Sequence, residues 1–189
     1  MKIAYIDCQT TGTNAWKHDI IQLSIIIEID SIVVSERTWR IKPYNMNTIE
    51  KEALRINQTT IEELEQHPDG MIVLTDIIEE LKKFISPYDT RDKLYPAGHN
   101  VRFDRDFLKA FFTKHNNKYF GSFFWYKDIC LLNIMYWLEY MNHIDLDNYK
   151  LGTICEYLDV DLDRSNSLGN IRATREAIHI VRDMITVID

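Results

Sequence analysis

The chain has 189 residues, 29 of them acidic and 22 basic for a net charge of −7, and 46% are hydrophobic. That length suits one packed domain, the hydrophobic share excludes wholesale disorder, and the acidic balance excludes coating of nucleic acid by bulk positive charge, though not a local basic groove. No run is long enough to cross a bilayer, no charged-then-apolar leader precedes the first strand, and Cys8, Cys130 and Cys155 form no Cys-x-x-Cys pair. A single cytoplasmic domain over residues 1–189, with reduced and mostly buried thiols, is expected.

The chain opens on Lys2-Ile3-Ala4-Tyr5-Ile6-Asp7-Cys8-Gln9-Thr10-Thr11-Gly12, an apolar run that ends on a carboxylate and breaks into small residues and a glycine. This predicts a buried strand that delivers Asp7 to a sheet edge, with Asp7 and Gln9 on one face because side chains repeat every two residues. Asp19 to Glu28 is dense in isoleucine and reads as a central strand. The alternating Ser31 to Ile41 reads as its antiparallel partner, ended by Pro43. Helical spacing begins near Thr48, Thr59-Thr60-Ile61-Glu62-Glu63 has the form of a capping box, and a further helix is predicted from Val73 to Ile85. Lys93 to Asn100 predicts a short strand and turn, followed by a helix from near Phe103. The aromatic stretch Phe120 to Asp128 predicts another strand, and helices follow with Leu131 to Leu138, Leu151 to Leu158 and Leu168 to Ile188. Three strands and then helices alternating with two more imply an α/β fold with a mixed central sheet of about five strands flanked by helices.

Three segments also resemble a known family. Tyr5 to Gly12, Gly98-His99-Asn100-Val101-Arg102-Phe103-Asp104, and Leu168 to Thr174 are similar in order and spacing to the three motifs of the DEDDh 3'-5' exonucleases. That is the family of the proofreading epsilon subunit of bacterial DNA polymerase III and of ribonuclease T. The resemblance implies a ribonuclease H-like fold and Mg²⁺ or Mn²⁺ as cofactor. It places the four metal-binding carboxylates of the family on Asp7, Gln9, Asp104 and Asn170, and the general-base histidine on Ser165. Only Asp7 and Asp104 keep the family chemistry.

Family catalysis rests on two divalent ions, about 3.5–4 Å apart, held by hard oxygen ligands. Two carboxylates against the charge of two such ions lead to an expectation of at most one weakly held ion. Serine does not take a proton from water near neutral pH, a step typically worth about 10²–10⁴ in rate. Ser167 and Ile171, where the family has alanine, point to natural drift of the whole site, and Asp161 and Asp163 are the nearest substitutes for a lost ligand. Thr10, Thr11 and Gly12 are expected to touch a terminal nucleotide, because small residues let the backbone approach closely.

The remaining expectations are structural. His99 and Asn100 hold their turn by hydrogen bonds to the backbone, Cys8 is core, and Arg172 or Arg175 partly fills the space of a metal. The series Arg102, Arg105, Lys109, Lys114, His115 and Lys118 reads as a solvated helix face or as phosphate contacts. Trp39, Phe123, Phe124, Trp125 and Tyr126 read as core. The functional expectation is an exonuclease-fold protein of replication or repair, inactive or strongly impaired, that still binds a single strand or a 3' end. The alternatives are a weakly active metal-dependent 3'-5' exonuclease of DNA or RNA, and a protein-interaction module docking on a polymerase or repair protein. No membrane association is expected.

Overall fold

In a computed structural model that describes residues 1–163 and 166–188, the opening run forms β1 (Lys2–Thr10). Ala4 and Ile6 face one apolar cluster while Ile3 and Tyr5 face the other, so the strand is covered on both sides. β2 (Ile20–Ile29) lies antiparallel between β1 and β3 (Ile32–Arg40). Its isoleucines suit a doubly covered strand, each contributing about 1.5–3 kcal/mol when fully buried. Asp30 and Ser31 take left-handed backbone, with φ of 50° and 69°, and so make the two-residue turn between β2 and β3.

A 3-10 turn (Met46–Thr48) leads to α1 (Lys51–Asn57) and α2 (Ile61–Glu65). The capping box is formed: Glu63 N donates to Thr60 Oγ1 at 3.2 Å and Thr60 N to Glu63 Oε2 at 2.9 Å. α3 (Gly70–Lys82) starts before the predicted Val73 because Asp69 caps it, accepting from Met71 N at 2.8 Å. β4 (Tyr95–Gly98) joins β1 in parallel, and α4 (Val101–Lys114) follows.

The strand predicted from Phe120 to Asp128 is corrected. That segment holds a short helix, α5 (Phe120–Phe123), then one bridge from Phe124 to Leu94, and only beyond it β5 (Ile129–Cys130), parallel to β4. Phe120, Phe123 and Phe124 have helical spacing, which lets Phe120 and Phe123 both meet Phe112 while Phe124 stacks on Phe120. Trp39, Phe123 and Phe124 are core as expected. Trp125 is only half-buried and Tyr126 is 77% exposed, because the chain turns outward after the last ladder bond, Trp125 N to Leu94 O.

α6 (Leu131–Tyr140), α7 (Leu151–Tyr157) and α8 (Ser167–Ile188) complete the chain. The sheet order is β3-β2-β1-β4-β5, mixed, with β1 central. α3 and α4 cover one face through Val73, Ile77, Phe107 and Phe111, and α6 to α8 cover the other through Leu131, Met135, Ile154 and Ala177. This is the expected α/β architecture of five strands flanked by helices. Among the described residues no helix is long and apolar enough to cross a membrane, and the three cysteines are free, with Cys8 half-buried and the others buried.

Candidate functional site

Alternation along β1 turns Asp7 toward α8, and the first turn of that helix brings Asn170 to meet it: Asn170 Nδ2 donates to Asp7 Oδ2 at 3.4 Å. On the other side Asp104, in the first turn of α4 and 7% exposed, accepts from Cys8 N through Oδ1 at 2.9 Å. Residues from all three motif segments thus converge on the carboxyl end of β1. Ser165 lies outside the described residues. A register shift between Gln9 and Thr10 breaks the β1–β2 ladder there, a common device for re-aiming side chains beside a site. Gln9 opens onto a cleft of about 590 Å³ shared with Gln22, Arg40, Asn57, Gln58 and Gln66.

The Thr10 to Gly12 turn is held by internal bonds. Thr10 Oγ1 donates to Gly12 O at 2.7 Å, Thr11 Oγ1 accepts from Asp19 N at 2.9 Å, and Asn57 Nδ2 donates to Thr10 O at 2.9 Å. Gly12 lies against the buried His18 ring, which a Cβ would approach to 2.3 Å, so only glycine fits without rearrangement.

Electrostatically the site is unbalanced. Burial pushes the Asp7 carboxyl up to about 7, against the opposing bond from Asn170. Burial and then the charge of Asp7 hold Asp104 well above the usual carboxylate range, and burial with both carboxylates raises the Cys8 thiol. Among the described residues no three His, Cys, Asp or Glu side chains converge to hold a metal. Asp7 and Asp104 are the two carboxylates that would hold a hard cation here, and with two neutral amides beside them they do not balance the charge of a pair.

Other expected residues have different uses. Arg172 and Arg175 do not fill a metal position: Arg172 Nε donates to Glu36 at 3.2 Å and Arg175 Nε to Glu28 at 2.6 Å. They sit about 200° and 140° around α8 from Asn170 and so face β3 and β2 instead. His99 approaches Tyr149 O at 2.8 Å through Nε2, tying β4 to the loop before α7 rather than bracing its own turn, and the Asn100 side chain makes no capping bond. Asp163 lies against the start of α8, its carbonyl 2.0 Å from where a Cβ on Gly169 would stand.

One feature of the third segment escaped the sequence reading. Ser167 donates from N at 3.2 Å and from Oγ at 2.8 Å to Gln22 Oε1, and its Oγ lies 2.6 Å from Ser24 Oγ, itself 2.8 Å from Thr38 Oγ1. Ser167 is therefore a bolt from α8 to β2 and β3. Its signal was present as Gln22 and Ser24, two polar residues two apart in an isoleucine strand.

No family model and no curated protein matches the chain. Solved structures do. Escherichia coli exonuclease I in complex with a dT13 oligonucleotide superposes with a TM-score of 0.76 at 16% identity, over 100% of this chain and 42% of that one. A moderately thermophilic exonuclease I from Methylocaldum szegediense gives 0.78 at 17%, over 96% and 40%. An ExoI/SSB-Ct complex gives 0.76 at 15%, over 96% and 41%. The chain thus spans about two fifths of the length of these structures. Sheet order and superposition agree: the chain has the fold of these exonuclease I structures, a mixed five-stranded sheet flanked by helices.

Proposed function

We propose that this chain binds the 3' end of a single-stranded nucleic acid at the carboxyl end of β1 and is inactive or strongly impaired as a nuclease. The observation that supports this most is the Asp7–Asn170 contact at 3.4 Å, which gives Asp7 an uncharged amide partner where the family motif has a carboxylate. The cleft beside Gln9 is rich in amides, groups that pair with base edges, and contains Arg40, which suits a phosphate. The Thr10 to Gly12 turn would contribute its backbone shape, since the Thr10 and Thr11 hydroxyls already have internal partners. The dT13 complex supplies the ligand class by analogy of fold. A cytoplasmic location belongs to the same proposal.

Binding of short linear oligonucleotides at low salt, beside a circular strand of the same composition, tests the first half. Linear strands should bind tighter, and no binding of either removes the reading. Nuclease assay of Gln9→Glu, Ser165→His and Asn170→Asp combined tests the second: hydrolysis only in the restored protein is expected, and equal hydrolysis by the unaltered chain overturns the impairment.

The raised Asp7 and Asp104 carboxyls favour a second reading, because a pair of crowded carboxylates is what a single Mg²⁺ or Mn²⁺ would stabilise. In that case a weak 3'-5' exonuclease of DNA or RNA remains, and nucleotide release with Mn²⁺ would disappear in Asp7→Ala. A replication or repair protein as partner is a further proposal, supported by analogy with the ExoI/SSB-Ct complex and testable by co-purification.

A further inference from the structure

Basic side chains in this acidic chain gather around one shallow groove of about 370 Å³ between α4, α5 and the segment after it. Arg105 and Lys109 line it from α4, four residues apart and so on one helix face, and Lys118 stands beyond the helix end. Lys93 and Lys127 lie over the rings of Trp125 and Tyr126, at 5.5 and 5.8 Å, and these two aromatics form part of the wall. The carboxylates present are already paired, Asp106 with Arg102 at 3.9 Å and Asp128 with Arg105. Lys109 and Lys118 are exposed and make no ion pair among the described residues, and Tyr126 offers a ring that is 77% exposed. The groove shares no lining residue with the cleft beside Gln9.

We propose that this groove is a track for the single strand that runs away from the 3'-end site, an inference that rests on the binding reading above. Arg105 follows Asp104 on α4, one residue along and about 100° around the helix, so the groove starts on the neighbouring face of the helix that carries the site residue. From Arg105 to Thr113 it covers about 12 Å of helix axis, room for a short stretch of strand beyond the 3' end. Cations that follow phosphates, combined with exposed ring faces, bind a strand without reading its sequence. On a chain of net charge −7, Lys109 and Lys118, without an acidic partner among the described residues, are where a polyanion would be accommodated.

The test compares oligothymidylates of about four and about twelve nucleotides, by fluorescence anisotropy at about 50 and 200 mM salt. The unaltered chain should bind the longer strand about tenfold tighter or more, with a steeper salt dependence. Lys109→Glu with Lys118→Glu, both at exposed positions, should abolish that gain and leave the short strand within about twofold; Tyr126→Ala should remove part of it. A gain that survives charge reversal, or a short strand weakened equally, overturns the track while leaving the 3'-end reading in place. Failure of both lengths to bind the unaltered chain refutes that reading and the track with it. A polyglutamate peptide that displaces the longer strand as well as unlabelled oligothymidylate does would overturn the assignment to nucleic acid.

Discussion

Replacing Asp7 by asparagine should stabilise the protein at neutral pH, and the gain should vanish in acid. The Asp7 carboxyl is raised to about 7 in the folded chain, against about 3.9 in an unfolded one. A carboxyl raised by folding holds its proton more tightly in the folded state. Stability is therefore fully present below the unfolded pKa and is lost as pH climbs toward 7. Three units at about 1.4 kcal/mol each set a ceiling of about 4 kcal/mol, and residual solvent at the half-buried group reduces this to about 2–3 kcal/mol. Asp104 is raised partly by the charge of Asp7, so neutralising Asp7 relieves it too. Asparagine has the same shape and still accepts from Asn170. Urea unfolding of both proteins at about pH 4 and about pH 8, without divalent ions, measures the effect as a difference. Taking the difference removes groups such as Glu80 and Asp92, whose lowered values contribute stability that rises with pH. An equal difference at both pH values would refute the reasoning.

Three further changes test the frame around the site. Ser167→Ala leaves Gln22 and Ser24 without their buried partner and should cost about 1–3 kcal/mol, read by denaturant midpoint at constant slope. Gly169→Ala places a Cβ 2.0 Å from the Asp163 carbonyl, so the loop must move, at about 1–3 kcal/mol, and a melting temperature unchanged from the parent would contradict the packing. Glu28→Ala removes a carboxylate that is 2% exposed and paired with Arg175 and His179 at 2.6 and 2.8 Å. The loss should be about 3 kcal/mol, and thermal or urea denaturation that detects no loss would count against the pair as a core element.

Period-two alternation made β1 and the common face of Asp7 and Gln9 legible, because a central strand obeys that rule whatever surrounds it. The Thr60–Glu63 capping box was equally legible, being local chemistry between residues three apart. The aromatic stretch from Phe120 was misread because a short apolar run does not separate strand from helix by composition; what decided it was Phe112, on another helix, which offers one surface to Phe120 and Phe123. The meeting of Asp7, Asp104 and Asn170 followed from motif spacing. The partners of Arg172 and Arg175 did not, because they are set by which strand faces which side of α8.

The sheet order also bears on how the molecule is assembled. β1, β2 and β3 are successive in the chain and pair antiparallel, so their contacts close short loops; β4 must return from residue 95 to pair on the far side of β1. Contacts of long sequence separation form late, since more chain must be ordered before they bring any gain. In the unfolded chain Asp7 faces water and ionises in the ordinary carboxylate range. The crowding of Asp7 with Asp104 therefore arises only when α4 docks, and it opposes that step. Acid, which neutralises the pair, should speed the closing of the very site whose charge resists it.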